Sequence, residues 1–91
     1  MATHAEIASK NVIEEIIFSN LLKGLDGALE RIIVELSRLH NIPMDFLSKD
    51  ECKEIIAILE KYNLFLLRDS VNTAARILPI SRVSIYKYLR K

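Results

Sequence analysis

Apolar side chains recur along the chain at the three- and four-residue spacing of an α-helix, with only short interruptions. A strand alternates with a period of two, so as a sheet this pattern would leave much of its apolar surface in water. Ile7, Val12, Ile13, Ile16, Ile17, Phe18, Leu21 and Leu22 predict a helix over 5–22, with Glu6, Glu14 and Glu15 between them. Lys23-Gly24-Leu25-Asp26-Gly27 is a break: Gly24 suits a helix C-terminus, and the Asp26 side chain can cap the next helix. From Gly27 to His40, Leu29, Ile32, Ile33, Leu36 and Leu39 face one side, and Glu30, Arg31, Glu35 and Arg38 the other. Asn41-Ile42-Pro43 ends this helix, because proline cannot continue the hydrogen-bond ladder.

The second half follows the same logic. Ser48-Lys49-Asp50-Glu51 is a capping-box signature. The helix it opens runs to about Tyr62, burying Cys52, Ile55, Ile56 and Leu59, and Asn63 stops it. Leu64-Phe65-Leu66-Leu67 is too apolar for an exposed loop and is expected to pack inward as a connector or helical turn. Asp69 and Ser70 compete to cap a helix through Leu78; Pro79 ends it, and Ser81 caps a last helix to about Arg90. The expectation is all-α: a small helical domain with a C-terminal helix-turn-helix and an N-terminal amphipathic dimerisation helix or helical hairpin.

Composition narrows the classes. Ninety-one residues make one small domain, a size that buries only about 60–65% of its unfolded surface. It divides into an N-terminal region over 1–45 and a helix-turn-helix region over 46–91. Two glycines, two prolines and 7% aromatics disfavour a turn-rich β-sandwich. No apolar stretch approaches the roughly 18 residues of a membrane span, and the N-terminus lacks a basic-then-apolar secretory signal, so a cytoplasmic location is expected. Cys52 is a single cysteine, which leaves no internal disulfide framework and no cysteine-based zinc site.

One spacing stands apart. Phe18, Leu22, Leu25, Leu29, Ile32, Leu36 and Leu39 alternate by four and three residues, as in the a/d seam of a coiled coil. If the chain stays helical through Gly24 and Gly27, a long dimerisation helix results; if it turns there, the same residues line a hairpin. The N-terminal region carries more apolar surface than so small a domain readily covers, so a homodimer is expected.

The formal net charge of +1 conceals an asymmetry. Residues 1–60 hold six Lys/Arg against eleven Asp/Glu, a balance of −5; residues 61–91 hold seven bases against one acid, Asp69, a balance of +6. Such a split points to a nucleic-acid or membrane surface. In the basic half, Val71 to Leu89 fits a helix-turn-helix. Ala74 and Ala75 allow two helices to cross closely, and Leu78, Ile80, Ile85 and Tyr88 or Leu89 supply a shared core. The outward face of the last helix is then polar and basic. Arg82 suits a bidentate contact to guanine and Val83 a thymine methyl, with Tyr86 and Lys87 beside them. Thr73, Ser81, Ser84, Lys87, Arg90 and Lys91 complete the candidate DNA-binding set, several of them placed for phosphates. The partner expected is double-stranded DNA, read by a recognition helix over about 81–90 in the major groove. The competing readings are a helical protein–protein interaction module with a basic tail, and a Fis-type nucleoid protein.

Ile80-Ser81-Arg82-Val83-Ser84-Ile85-Tyr86-Lys87-Tyr88-Leu89 resembles the recognition helix of the YheO-like transcriptional regulators, whose C-terminal module is a DauR-type helix-turn-helix. Phe65 to Val71 is similar to the family's apolar-basic-small approach to that motif, and Leu47 to Glu51 to its capped preceding helix; the resemblance spans roughly residues 25–91. It implies a bacterial DNA-binding repressor or activator. The family usually has glycine in the turn where Pro79 stands here, which predicts an altered turn. Its members typically carry an N-terminal PAS-like sensor, and nothing here is long enough to be one: the chain is either a fragment or a stand-alone regulator without an effector pocket, and no effector is carried over.

No other chemistry is expected. His4 and His40 lack ligand spacing to each other or to Cys52, and His40 reads as a helix C-terminal capping residue. Glu14-Glu15 and Asp50-Glu51 are sequence neighbours that do not face each other on a helix. With no phosphate-binding glycine loop or nucleophile elbow, neither an enzyme nor a cofactor, metal or small-molecule ligand is expected.

Overall fold

A computed structural model describes residues 10–90, and side chains through residue 89. Among these residues every regular element is helical: α1 (Lys10–Leu22), α2 (Ala28–Arg38), α3 (Lys49–Lys61), α4 (Ser70–Ile77) and α5 (Arg82–Arg90), with 3₁₀ turns at Met44–Phe46 and Leu64–Leu66. The expected start of the first helix at residue 5 lies outside the described residues. No described helix is long and apolar enough to cross a membrane.

The chain turns between α1 and α2, so the hairpin forms and the long dimerisation helix does not. Gly24 (φ 125°) and Gly27 (φ 75°) both take left-handed backbone that a side chain would strain. Asp26 does not cap α2. That position belongs to Gly27, without a side-chain cap bond, and the Asp26 carbonyl instead accepts from Arg31 Nη1 at 3.2 Å. Arg31 was expected to face solvent; it is the hairpin's clasp. Its Nη2 donates to the carbonyls of Asn20 and Gly24 at 3.1 Å each, and its Nε to Asn20 Oδ1 at 3.1 Å. Asn20, fully buried, donates from Nδ2 to Glu35 Oε2 at 3.0 Å and to the Ile16 carbonyl at 2.8 Å. Carbonyls near the end of α1 and in the loop, which the helix cannot satisfy itself, are thus met by one guanidinium.

One core joins all five helices. Ile17 of α1, Leu29, Ile32, Ile33 and Leu36 of α2, Cys52, Ile55, Ile56 and Leu59 of α3, Ala74 of α4 and Ile85 of α5 are buried together, with Leu47, Leu64 and Leu78 from the connections. Residues on both sides of the expected division at 45/46 share this core. The heptad seam is correspondingly divided. Leu29, Ile32 and Leu36 are buried within the chain and cannot face a partner, and Leu39 is half-buried, whereas Phe18, Leu22 (88% exposed) and Leu25 remain on the surface.

Local signals explain most boundaries. Ser48 Oγ accepts from Glu51 N–H while Glu51 Oε1 accepts from Ser48 N–H, completing the capping box at α3. Asn41 (φ 57°) and Asn63 (φ 60°) supply left-handed turns after α2 and α3. The Leu64–Leu66 turn buries Leu64, but Leu66 is 84% exposed, so only part of that apolar run packs inward. His40 makes no capping bond through its ring. The ring is buried, with Nε2 3.9 Å from Glu54 Oε1 on α3. Burial, reinforced by the Glu51 charge, pushes the Cys52 thiol up and keeps it protonated.

Candidate nucleic-acid interface

The site is the α4–α5 pair and the turn between them. Neither Asp69 nor Ser70 caps α4 with its side chain, although both were expected to compete for that role. Asp69 sits at the N-cap in left-handed backbone (φ 58°), so its carboxylate is directed elsewhere, and Ser70 Oγ donates to the Phe65 carbonyl at 2.8 Å. The turn is built on Pro79, and no residue in it takes left-handed backbone. Leu78 is extended (φ −85°, ψ 149°), as the residue before proline must be, and its N–H closes α4 on the Ala74 carbonyl at 2.8 Å. Ile80 N–H then donates to the Leu78 carbonyl at 2.8 Å. That is a three-residue turn centred on Pro79, whose fixed φ suits it.

Ser81 begins α5 as expected: its Oγ accepts from Ser84 N–H and donates to Ser84 Oγ, both at 3.2 Å. The two helices meet at the fully buried Ala74, where a larger residue would push them apart, and Ile85 and Leu78 fill the space behind it. Ile80, Tyr88 and Leu89 pack against the rim of this core. Tyr88 is an inward residue rather than a base-stacking platform, and Lys53 Nζ of α3 lies 5.6 Å from its ring centroid.

The opposite face of α5 is open. Val83 is 67% exposed and Tyr86 55%, both high for large apolar or aromatic groups, and Arg82 and Lys87 are exposed beside them. These four expected residues therefore share one surface. Ser81 and Ser84 lie at its edge, with their mutual cap engaging the Ser81 hydroxyl. Thr73 is set back: half-buried on α4, it donates Oγ1 to the Asp69 carbonyl at 3.0 Å, so that proton is not free for a phosphate. The side chains of Arg90 and Lys91 lie outside the described residues.

Sequence reasoning missed one residue of this surface. Asn72 accepts from Arg82 Nη1 at 3.0 Å through Oδ1 and donates to Asp69 Oδ1 at 2.7 Å through Nδ2. The three-residue spacing of Asp69 and Asn72 is a readable signal for the second bond. The first spans the turn and has no local signature. No group of three or more His, Cys, Asp or Glu among the described residues is placed to hold a metal ion.

Residues 28–90 match the model of a family described as an HTH domain, and the chain belongs to this helix-turn-helix family. The match runs from the first residue of α2 through α5 and leaves α1 outside it. Comparisons with curated proteins and with solved structures find no match.

Proposed function

We propose that this protein is a sequence-specific, DNA-binding transcriptional regulator of the YheO-like kind, acting as a homodimer with α5 in the major groove. The observation that carries this reading is the exposed face of Arg82, Val83, Tyr86 and Lys87, lying in the segment of the chain that holds seven bases against one acid. Arg82 reads a guanine through its fork and Val83 meets a thymine methyl. Lys87, Arg90 and Lys91 neutralise phosphates, with Ser81, Ser84 and Thr73 at the margin. A recognition helix of nine residues reaches few base pairs, and two copies on a two-fold operator supply the missing affinity. Phe18, Leu22 and Leu25, the exposed part of the seam, form the self-association surface in this reading.

Selection of bound duplexes from a random library by the full chain tests it. An enriched site with two half-sites and a matching footprint is expected, together with a dimer by sedimentation at micromolar concentration. Binding without an enriched site points instead to a nucleoid-type protein, and no binding to a protein–protein module; a monomer on a single half-site removes the dimer.

A further inference from the structure

We infer that Asn72 sets the base specificity of α5 by holding the Arg82 guanidinium in place, a positioning role that rests on the DNA-binding reading above. The carboxamide of Asn72 has a donor end and an acceptor end. Its donor end is anchored on Asp69 Oδ1 at 2.7 Å, and a carboxylate accepts only donors, so the acceptor end must face outward. There it receives Arg82 Nη1 at 3.0 Å. Asp69 is fixed in turn. Thr73 donates both its N–H and its Oγ1 to the Asp69 carbonyl at 3.0 Å, which locks the left-handed residue on which the carboxylate stands.

This chain of bonds runs from the start of α4 to the start of α5 and ends on the side chain best suited to read a base. One of the five N–H donors of Arg82 is engaged by Asn72, leaving enough for a bidentate contact. An arginine on a free stem can swing to a neighbouring phosphate or base edge and so tolerates a wrong sequence. A fork held at one point cannot follow the wrong acceptors, and the hydrogen bond that holds it strengthens when DNA excludes water. Asn72, Arg82 and Tyr86 also line one shallow groove with Phe65, so the guanidinium is flanked rather than isolated.

The test uses the full chain and a duplex selected from a random library, together with the set of duplexes that change each of its base pairs singly. Arg82→Ala is expected to lower discrimination at one G·C pair by about 10- to 100-fold. Asn72→Ala is expected to lower discrimination at that same pair by about 2- to 10-fold, the worth of one hydrogen bond, with binding to unrelated duplexes unchanged. Asn72→Ala added to Arg82→Ala is expected to change nothing further. Circular dichroism of each variant confirms that the fold persists, as an exposed helical position allows. Unchanged discrimination in Asn72→Ala, while Arg82→Ala loses it, overturns the inference and leaves the DNA-binding reading standing. Additive effects, or uniformly tighter binding by Asn72→Ala, also overturn it, the latter by showing that Asn72 parks Arg82 instead of aiming it. If Arg82→Ala costs no discrimination there is no reader to position, and if no duplex is enriched the DNA-binding reading falls and the inference with it.

Discussion

The α1–α2 hairpin and the α4–α5 pair are each two short helices joined by a tight connection, yet they are held by opposite means. In the hairpin the polar groups turn inward: Arg31 clasps Asn20, Gly24 and Asp26, and the buried Asn20 reaches Glu35. In the helix-turn-helix the contact is apolar, through Ala74, Leu78 and Ile85, while the polar chain of Asp69, Asn72 and Arg82 lies on the surface. The first arrangement consumes its charged side chains to define an angle between helices. The second defines its angle with a small residue and a proline turn, which leaves its charged side chains available to a partner.

Ile85→Ala removes a fully buried side chain from the point where α5 meets the core, and is expected to cost about 2–5 kcal/mol. Against a typical total of about 5–15 kcal/mol that is a large share, and a denaturant midpoint measures it. Arg31→Ala is the matching change in the hairpin. It strips a donor from Asn20 Oδ1 and from three carbonyls, at about 1–3 kcal/mol for acceptors left unmet. The expected loss is local, because Arg31 ties only the end of α1 and the following loop to α2. Hydrogen exchange should accelerate in α1 far more than in α4 and α5. Arg31→Lys is expected to fail as a rescue, since a single ammonium cannot reach four acceptors. Equal acceleration in all helices would show that the hairpin and the helix-turn-helix do not open separately.

A gentler change compares caps. Ser81→Ala and Ser48→Ala each remove a hydroxyl that meets the N–H three residues on, and each is expected to cost about 1 kcal/mol in thermal unfolding. Only Ser81→Ala is expected to weaken DNA binding as well, because it frays the start of α5, where Arg82 and Val83 stand. If both variants bind DNA like the wild type, the start of α5 is not the reading end.

Much of this was readable in the residues because it is local. The capping box at Ser48, the stop at Asn63, the Ser81 cap and the open face of Arg82, Val83, Tyr86 and Lys87 all follow from spacing along a single helix. What escaped depends on partners distant in the chain. Arg31 sits on the polar side of its own helix, and nothing nearby says that the end of α1 waits for it eleven residues back. Leu29, Ile32 and Leu36 share a period with Phe18, Leu22 and Leu25, but the glycines between rotate the two sets onto different surfaces. A glycine at the position of Pro79 would suggest left-handed backbone, whereas the turn uses the conformation that proline already favours.

The smallest expected effect lies where α1 rests on the end of α3. Tyr62 donates its hydroxyl to Glu14 Oε2 at 2.9 Å, and its ring meets Phe18 edge-on at 6.4 Å. Burial first, then the hydrogen bond to Glu14 and the Glu14 charge, raise the phenol above its ordinary value of 10.0. The folded chain therefore holds this proton more tightly than the unfolded chain does. Its contribution is complete below about pH 10 and is lost as pH rises through the folded value, when a phenolate would face the Glu14 carboxylate. Tyr62→Phe keeps the ring against Phe18 but removes the titrating group. It should flatten the fall in stability above pH 10 and remove one phenol from an absorbance titration. If the variant and the wild type lose stability along the same alkaline slope, the contact between α1 and α3 draws nothing from this proton. The hairpin would then dock through its apolar contacts and the Arg76–Glu30 pair at 3.5 Å.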